Sequence, residues 1–266
     1  MSMPGWDCHV HVFDGQRGSA AGHYAPPRRS LVELEGKAAG LGAGRFVLVQ
    51  PSVYGSDNGV LLAALDAGRG QHRGVVVVGP SIEDTELQHM HALGVRGVRF
   101  NLVSPVGSGP QAFEPMAPRL RALGWHVQWY ARPDQLAAIA AWHARHGLAC
   151  VLDHLGGFSP SLARDATLWG GLQALADQGA WIKLSGWYRL GASAPYQPLD
   201  DTIAAAAAMF GTRCVWGSDW PHTHFLEPGC EQPAPAYVQT WLPVLRALGA
   251  ERAEHVLNHQ PAELYG

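Results

Sequence analysis

The sequence carries little charge and no long apolar run. Only 15% of its 266 residues are charged against 47% hydrophobic, so a large core can form and intrinsic disorder is excluded. The net charge of −3 offers no basic surface for nucleic acid or an anionic membrane. The longest apolar stretch, 203–210, is too short to span a bilayer. There are four cysteines, Cys8, Cys150, Cys214 and Cys230, and none forms a Cys-x-x-Cys pair. They read as free thiols in a reducing compartment. No secretory leader precedes the first strand-like run, so a soluble, cytoplasmic protein is expected. A glycine-rich phosphate loop after that run is also missing, which counts against a doubly wound nucleotide-binding fold.

What is present is a regular alternation. Eight short runs rich in Val, Ile and Leu fall at 6–12, 45–50, 74–79, 97–101, 126–130, 149–154, 181–185 and 214–217. Most show little polar alternation, as strands buried on both faces do. Helical patterns separate them, at 30–40, 58–68, 85–93, 115–123, 133–145, 168–178 and 199–210. A further one at 237–248 should be kinked at Pro243, and a short last helix should start at 249–254. The pattern predicts one (β/α)8 TIM barrel over residues 1–266. Connections leaving the first, fourth, seventh and eighth strands are long, as expected of the loops that build a barrel's active face.

The chemistry concentrates at those strand exits. Two residues apart on the first strand, His9 and His11 point to one face, where paired imidazoles suit a metal or a polarised carbonyl oxygen. An edge strand with solvated histidines is the alternative. Asp219 follows the eighth strand, next to the first in a closed barrel, and can face those histidines as a general base; alone, it also reads as a turn former before Pro221. Asp153 and His154 end the sixth strand, and His154 is expected to turn into the barrel. Arg99 on the fourth strand needs either an acid partner such as Asp153 or an anionic substrate, and Lys183 on the seventh has the same two readings. Gln50, Ser52, Asn101, Gln128, Tyr130, Ser185 and His222 complete the polar ring.

An ordered set of motifs spans nearly the whole chain: Cys-His-Val-His-Val-Phe at 8–13, Gln-Pro-Ser-Val-Tyr-Gly-Ser-Asp-Asn at 50–58, Gly-Val-Arg-Gly-Val-Arg-Phe-Asn at 94–101, Gly-Trp-His-Val-Gln at 124–128, Asp-His-Leu-Gly at 153–156, Trp-Gly-Ser-Asp-Trp-Pro-His at 216–222 and Pro-Ala-Glu-Leu-Tyr-Gly at 261–266. The set resembles the amidohydrolase superfamily, most closely its branch of 2-pyrone-4,6-dicarboxylate lactonase and sugar-lactone and muconolactone hydrolases. The resemblance implies hydrolysis of a small-molecule lactone. It places His9, His11 and His154 around the carbonyl oxygen and gives Asp219 the proton of the attacking water. Tyr24, Ser52, Arg99, Tyr130 and Arg189 match its substrate-contacting positions, and His222 is expected beside them. The pyrone lactonase has further arginines where this chain reads Val103-Ser104-Pro105 and Gly157, which implies a less charged substrate here.

A two-metal centre is not expected, because Arg99, Gln128 and Tyr130 stand where further ligands would be needed. A single zinc on His9, His11, His154 and Asp219 has a suitable ligand set. The resemblance to a metal-independent lactonase favours no required cofactor. A zinc-dependent hydrolase or decarboxylase using the same residues is the alternative, and a barrel that binds without turnover is a third.

Overall fold

The computed structural model describes residues 4–16, 24–103, 113–162 and 165–266. Eight strands form one sheet in sequence order: β1 (Gly5–Val10), β2 (Ala43–Val49), β3 (Arg73–Val76), β4 (Val95–Asn101), β5 (His126–Tyr130), β6 (Cys150–Leu152), β7 (Trp181–Ser185) and β8 (Cys214–Gly217). All neighbouring pairs are parallel. The first and last strands meet through a parallel bridge from Val10 to Trp220. There the His11 N–H donates to the Trp220 carbonyl at 2.8 Å, and the Asp219 N–H donates to the His9 carbonyl at 2.9 Å. This closure sets Asp219 beside the two histidines, as the sequence predicts.

Helices α1 (Leu31–Ala38), α2 (Gly59–Ala67), α3 (Asp84–Ala92), α4 (Phe113–Ala122), α5 (Leu136–His146), α6 (Ala166–Asp177) and α7 (Asp200–Phe210) fill the gaps between strands. The 237–248 pattern splits into a 3₁₀ turn, Tyr237–Thr240, and α8 (Leu242–Leu248), with Pro243 in its first turn. The last helix, α9 (Ala250–Asn258), is followed by one that the sequence reading missed, α10 (Gln260–Tyr265). Tyr265 stacks on Trp6 at 6.1 Å and meets His126 edge-on at 5.5 Å. His126 therefore belongs to the barrel floor, away from the chemistry. No helix among the described residues is long and apolar enough to cross a membrane.

The interior is packed by Cys8, Val47, Val49, Val75, Val151, Trp181 and Val215 above Trp6 and Tyr265. A larger apolar cluster lies between strands and helices. The register of β1 against β2 shifts between Asp7 and Val10. This irregularity lets Cys8 join the interior while His9, the next residue, still reaches β6 and β7.

Candidate active site

Asp219 is the centre of the arrangement and is fully buried. Its two oxygens have different tasks. Oδ2 accepts from Tyr188 Oη and from Arg189 Nε, both at 2.5 Å. Oδ1 has no hydrogen-bond partner among the described residues, but lies 3.3 Å from His11 Nε2 and 3.7 Å from His9 Nε2. Burial alone would raise its pKa. Arg189, His154 and the nearby imidazoles hold it well below the usual carboxylate range instead, so it stays ionised.

The histidines are fixed by what their other nitrogens touch. His11 Nδ1 lies 2.8 Å from the Val49 carbonyl, which can only accept, so the proton sits on Nδ1. Its Nε2 faces Asp219 Oδ1. In that tautomer His11 could donate to an oxyanion only by carrying a second proton, on Nε2. His9 Nδ1 lies between Lys183 Nζ at 3.4 Å and Asp153 Oδ1 at 3.2 Å. When Lys183 donates to it, His9 carries its proton on Nε2. When Nδ1–H turns to Asp153, Nε2 is a lone pair. His154 Nδ1 pairs with Ser185 Oγ at 3.0 Å, and its ring centre is 4.7 Å from that of His9. Burial drives His9 well below the ordinary imidazole value and His154 to about 4, so both are neutral at neutral pH.

Beneath the histidines lies a buried ionic knot. Asp153 Oδ2 accepts from Arg99 Nε and Gln128 Nε2, both at 3.1 Å, and Oδ1 lies 3.5 Å from Lys183 Nζ. Lys183 also donates to Gln128 Oε1 at 2.7 Å. Burial opposes the charge on Asp153, yet His9, Lys183 and Arg99 hold its pKa well below the usual range. Arg99 therefore takes the acid-partner alternative and still lines the mouth.

A second buried carboxylate, Asp7, staples β1 to the loop after β8. Its Oδ1 accepts from the His9 N–H at 3.2 Å and the Ser218 N–H at 2.9 Å, and its Oδ2 accepts from Tyr237 Oη at 2.8 Å. Burial raises its pKa to about 6 against these hydrogen bonds. Gly217 allows the close approach: a Cβ there would lie 2.5 Å from the His9 Cβ.

A cavity of about 310 Å³ opens above the site, lined by His11, Tyr24, Ser52, Arg99, Tyr130 and Arg189, with Asn101, Thr223 and Glu227 among its other walls. Five of the six expected substrate-contacting residues thus meet there. The sixth, His222, does not line it. It is buried with its ring edge-on to Tyr188 at 5.8 Å. Gln50 is turned away as well, holding the Gly55 and Asp57 carbonyls of its own loop. Asp7, Tyr188, Thr223 and Glu227 were not picked out from sequence. Of these, Tyr188 had a usable signal, standing next to Arg189.

Among the described residues, two groups of donors could hold a metal ion: His9, His11 and Asp219, and His9, Asp153 and His154. His154 does not join the first group, so the expected four-residue zinc set is not assembled as one. The first group fits a divalent cation. Ligand bonds near 2.1 Å in a tetrahedron put donors about 3.4 Å apart, close to the observed 3.3 and 3.7 Å. His11 donating its other N–H to a carbonyl is also the usual support of a metal ligand.

A parallel barrel with His, Asp and Arg side chains converging at the carboxyl ends of its strands has the form of a barrel-enzyme active site. The amidohydrolase family profile matches residues 6–266, and the chain belongs to that family. It is 31% identical to a 4-sulfomuconolactone hydrolase of Rhizobium radiobacter over 233 residues, 84% of this chain and 77% of that protein. It is 30% identical to a 2-pyrone-4,6-dicarboxylate hydrolase of Comamonas testosteroni over 275 residues, 97% of this chain and 89% of that protein. Among solved structures, a probable 2-pyrone-4,6-dicarboxylic acid hydrolase from Acinetobacter baumannii, with citric acid bound, superposes with a TM-score of 0.86 at 27% identity, covering 99% of this chain and 100% of that one.

The departures expected from the pyrone lactonase fall differently. Ser104 and Pro105 lie outside the described residues. Gly157 has φ +81°, and a Cβ there would stand 2.6 Å from the Ala131 carbonyl oxygen. No L side chain, arginine included, fits this backbone, so a cation is excluded at that position by the path of the chain.

Proposed function

We propose that this protein hydrolyses a small lactone bearing a carboxylate or hydroxyl groups, with Asp219 as general base. The observation that carries this reading is the division of labour at Asp219: Oδ2 is tied to Arg189 and Tyr188, while Oδ1 is free beside His11 and His9. A water donating one hydrogen to Oδ1 and the other to His11 Nε2 satisfies both acceptors and is oriented for attack. The water oxygen bonds to the lactone carbonyl carbon as Asp219 takes the proton. His9 and His154, neutral and protonated on Nε2, donate to the carbonyl oxygen as it gains charge. Asp219 then returns the proton to the ring oxygen as that carbon–oxygen bond breaks, leaving a hydroxy acid.

Arg99 uses Nε on Asp153, and the rest of its guanidinium faces the cavity as the subsite for a substrate carboxylate. Arg99→Met is expected to raise KM for carboxylated lactones about tenfold to a hundredfold. Steady-state assays with a neutral lactone of the same ring are the control. An equal rise for both substrates counts against the subsite.

A second reading of the cofactor is supported by the His11–Val49 hydrogen bond and the donor spacing. In it, His9 turns Nδ1–H to Asp153, and His9, His11 and Asp219 hold one zinc ion. When bound, the ion would act as a Lewis acid on the carbonyl and acidify water. The metal-free reading is preferred because Arg189 already neutralises Asp219, and Lys183 and Arg99 already neutralise Asp153. A lactone panel of pyrone carboxylates, muconolactones and aldonolactones, assayed by acid release on chelator-treated protein, decides. Turnover with no bound zinc by metal analysis is expected. Activity and one zinc per chain appearing together on reconstitution would reverse the preference.

A further inference from the structure

The cavity wall opposite in charge to Arg99 has no part in the mechanism above. Glu227 lines the same cavity as Arg99 and Arg189, at the end of the 3₁₀ turn Thr223–Leu226 in the loop that carries Asp219. Its Oε2 lies 3.4 Å from His224 Nδ1, and His224 stacks on Tyr188 with ring centres 6.0 Å apart, so the carboxylate rests beside a ring packed on a residue of the site. A space of 310 Å³ is about 8 Å across, no longer than the screening length of about 8 Å at physiological salt. Any substituent on a lactone bound there therefore feels Glu227.

Among the described residues, the fixed charges at and beneath this cavity balance. Arg99, Lys183 and Arg189 supply three cations, and Asp153, Asp219 and Glu227 supply three carboxylates. Lys183 is fully buried, and Arg189 has two of its nitrogens on Asp219 and Thr223 while Arg99 has one on Asp153, so among the described residues Arg99 keeps the most donors for the cavity. Among the described residues, a second substrate carboxylate would find only Arg189, whose charge is shared with Asp219, and would meet Glu227. A hydroxyl would find an acceptor there.

We infer that Glu227 is a specificity-determining residue, selecting lactones with one carboxylate and a hydroxyl or neutral group across the ring, and rejecting dicarboxylated ones. This rests on the lactone reading, which the test keeps separate. Binding of 2-pyrone-6-carboxylate and 2-pyrone-4,6-dicarboxylate is measured by calorimetry, alongside turnover, on the full-length protein and on Glu227→Gln at about pH 8, where ordinary imidazoles are neutral. The wild type is expected to bind the monocarboxylate more tightly. Glu227→Gln is expected to tighten the dicarboxylate about threefold to fivefold while moving the monocarboxylate less than about twofold, since a single like-charge contact in a partly exposed site is worth up to about 1 kcal/mol. An unchanged ratio, or a wild type that prefers the dicarboxylate, overturns the assignment, as does failure of both acids to bind. The predicted binding shift without turnover of any lactone would count against the hydrolase reading alone.

Discussion

Asp219→Asn is expected to lower kcat by about a thousandfold or more while the protein still folds and binds its substrate. The size follows from the role: removing a base from the proton-transfer step costs on the order of 10²–10⁴ in rate. The upper part of that range applies because the other carboxylates near the cavity are placed elsewhere: Asp153 is committed to Arg99 and Gln128, and Glu227 lies beside His224 on the wall. Folding should survive because asparagine keeps the shape. Its carbonyl oxygen can accept from Tyr188 and Arg189, and its amide takes the place of the present Oδ1 beside His11 Nε2. Binding of a carboxylated lactone should change little, since Arg99 is untouched. Calorimetric affinity, urea denaturation and kcat on the same preparation separate these effects. A variant with kcat near that of the wild type would remove Asp219 from the base role. Loss of folding would instead show that the Asp219–Arg189 pair is structural first.

The barrel was largely legible from the sequence, because its strands are buried on both faces and read as short continuous apolar runs between helical patterns. Closure between β1 and β8 then placed Asp219 beside His9 and His11 without coordinates. What alternation could not show is backbone that leaves the strand. Asp153 and His154 are consecutive, so strand geometry allows only one of them to face inward. Both reach the site, because His154 stands at φ +50° just past β6 and turns back toward His9. Asp219 at φ +60° and His222 at φ +66° are two more non-glycine residues in this region, which concentrates backbone strain at the strand exits. His222 was expected at the mouth for the same reason that His154 was half-read: its sequence position is right, but its backbone sends the ring into the packing around Tyr188. Glu227 was invisible because nothing in a loop sequence says which side chain returns to the cavity.

The largest stability effect is expected from Asp153→Asn. Asp153 is fully buried, and it is the carboxylate within ion-pair distance of both Arg99 and Lys183. The pair itself is weak evidence for stability, because desolvation offsets most of the attraction. Removing one member is different, since two buried cations are then left uncompensated. A loss of about 3–5 kcal/mol in urea unfolding is expected. The acid side of the stability curve gives a second readout. A carboxylate whose folded pKa lies well below its unfolded value of about 3.9 contributes stability that is complete above that value and is lost as pH falls through the folded pKa. The Asn variant lacks this contribution, so its stability should fall less steeply on acidification than that of the wild type. Lys183→Met tests the cause. If stranded charge is what destabilises Asp153→Asn, the double variant should be more stable than Asp153→Asn alone, because the buried ammonium has gone too. If the second change lowers stability further, the knot holds the barrel by its hydrogen bonds through Gln128 rather than by charge balance. A single variant within about 1 kcal/mol of the wild type would mean that water reaches Lys183 and Arg99 from the cavity and screens them, and that the mouth is wetter than its burial implies.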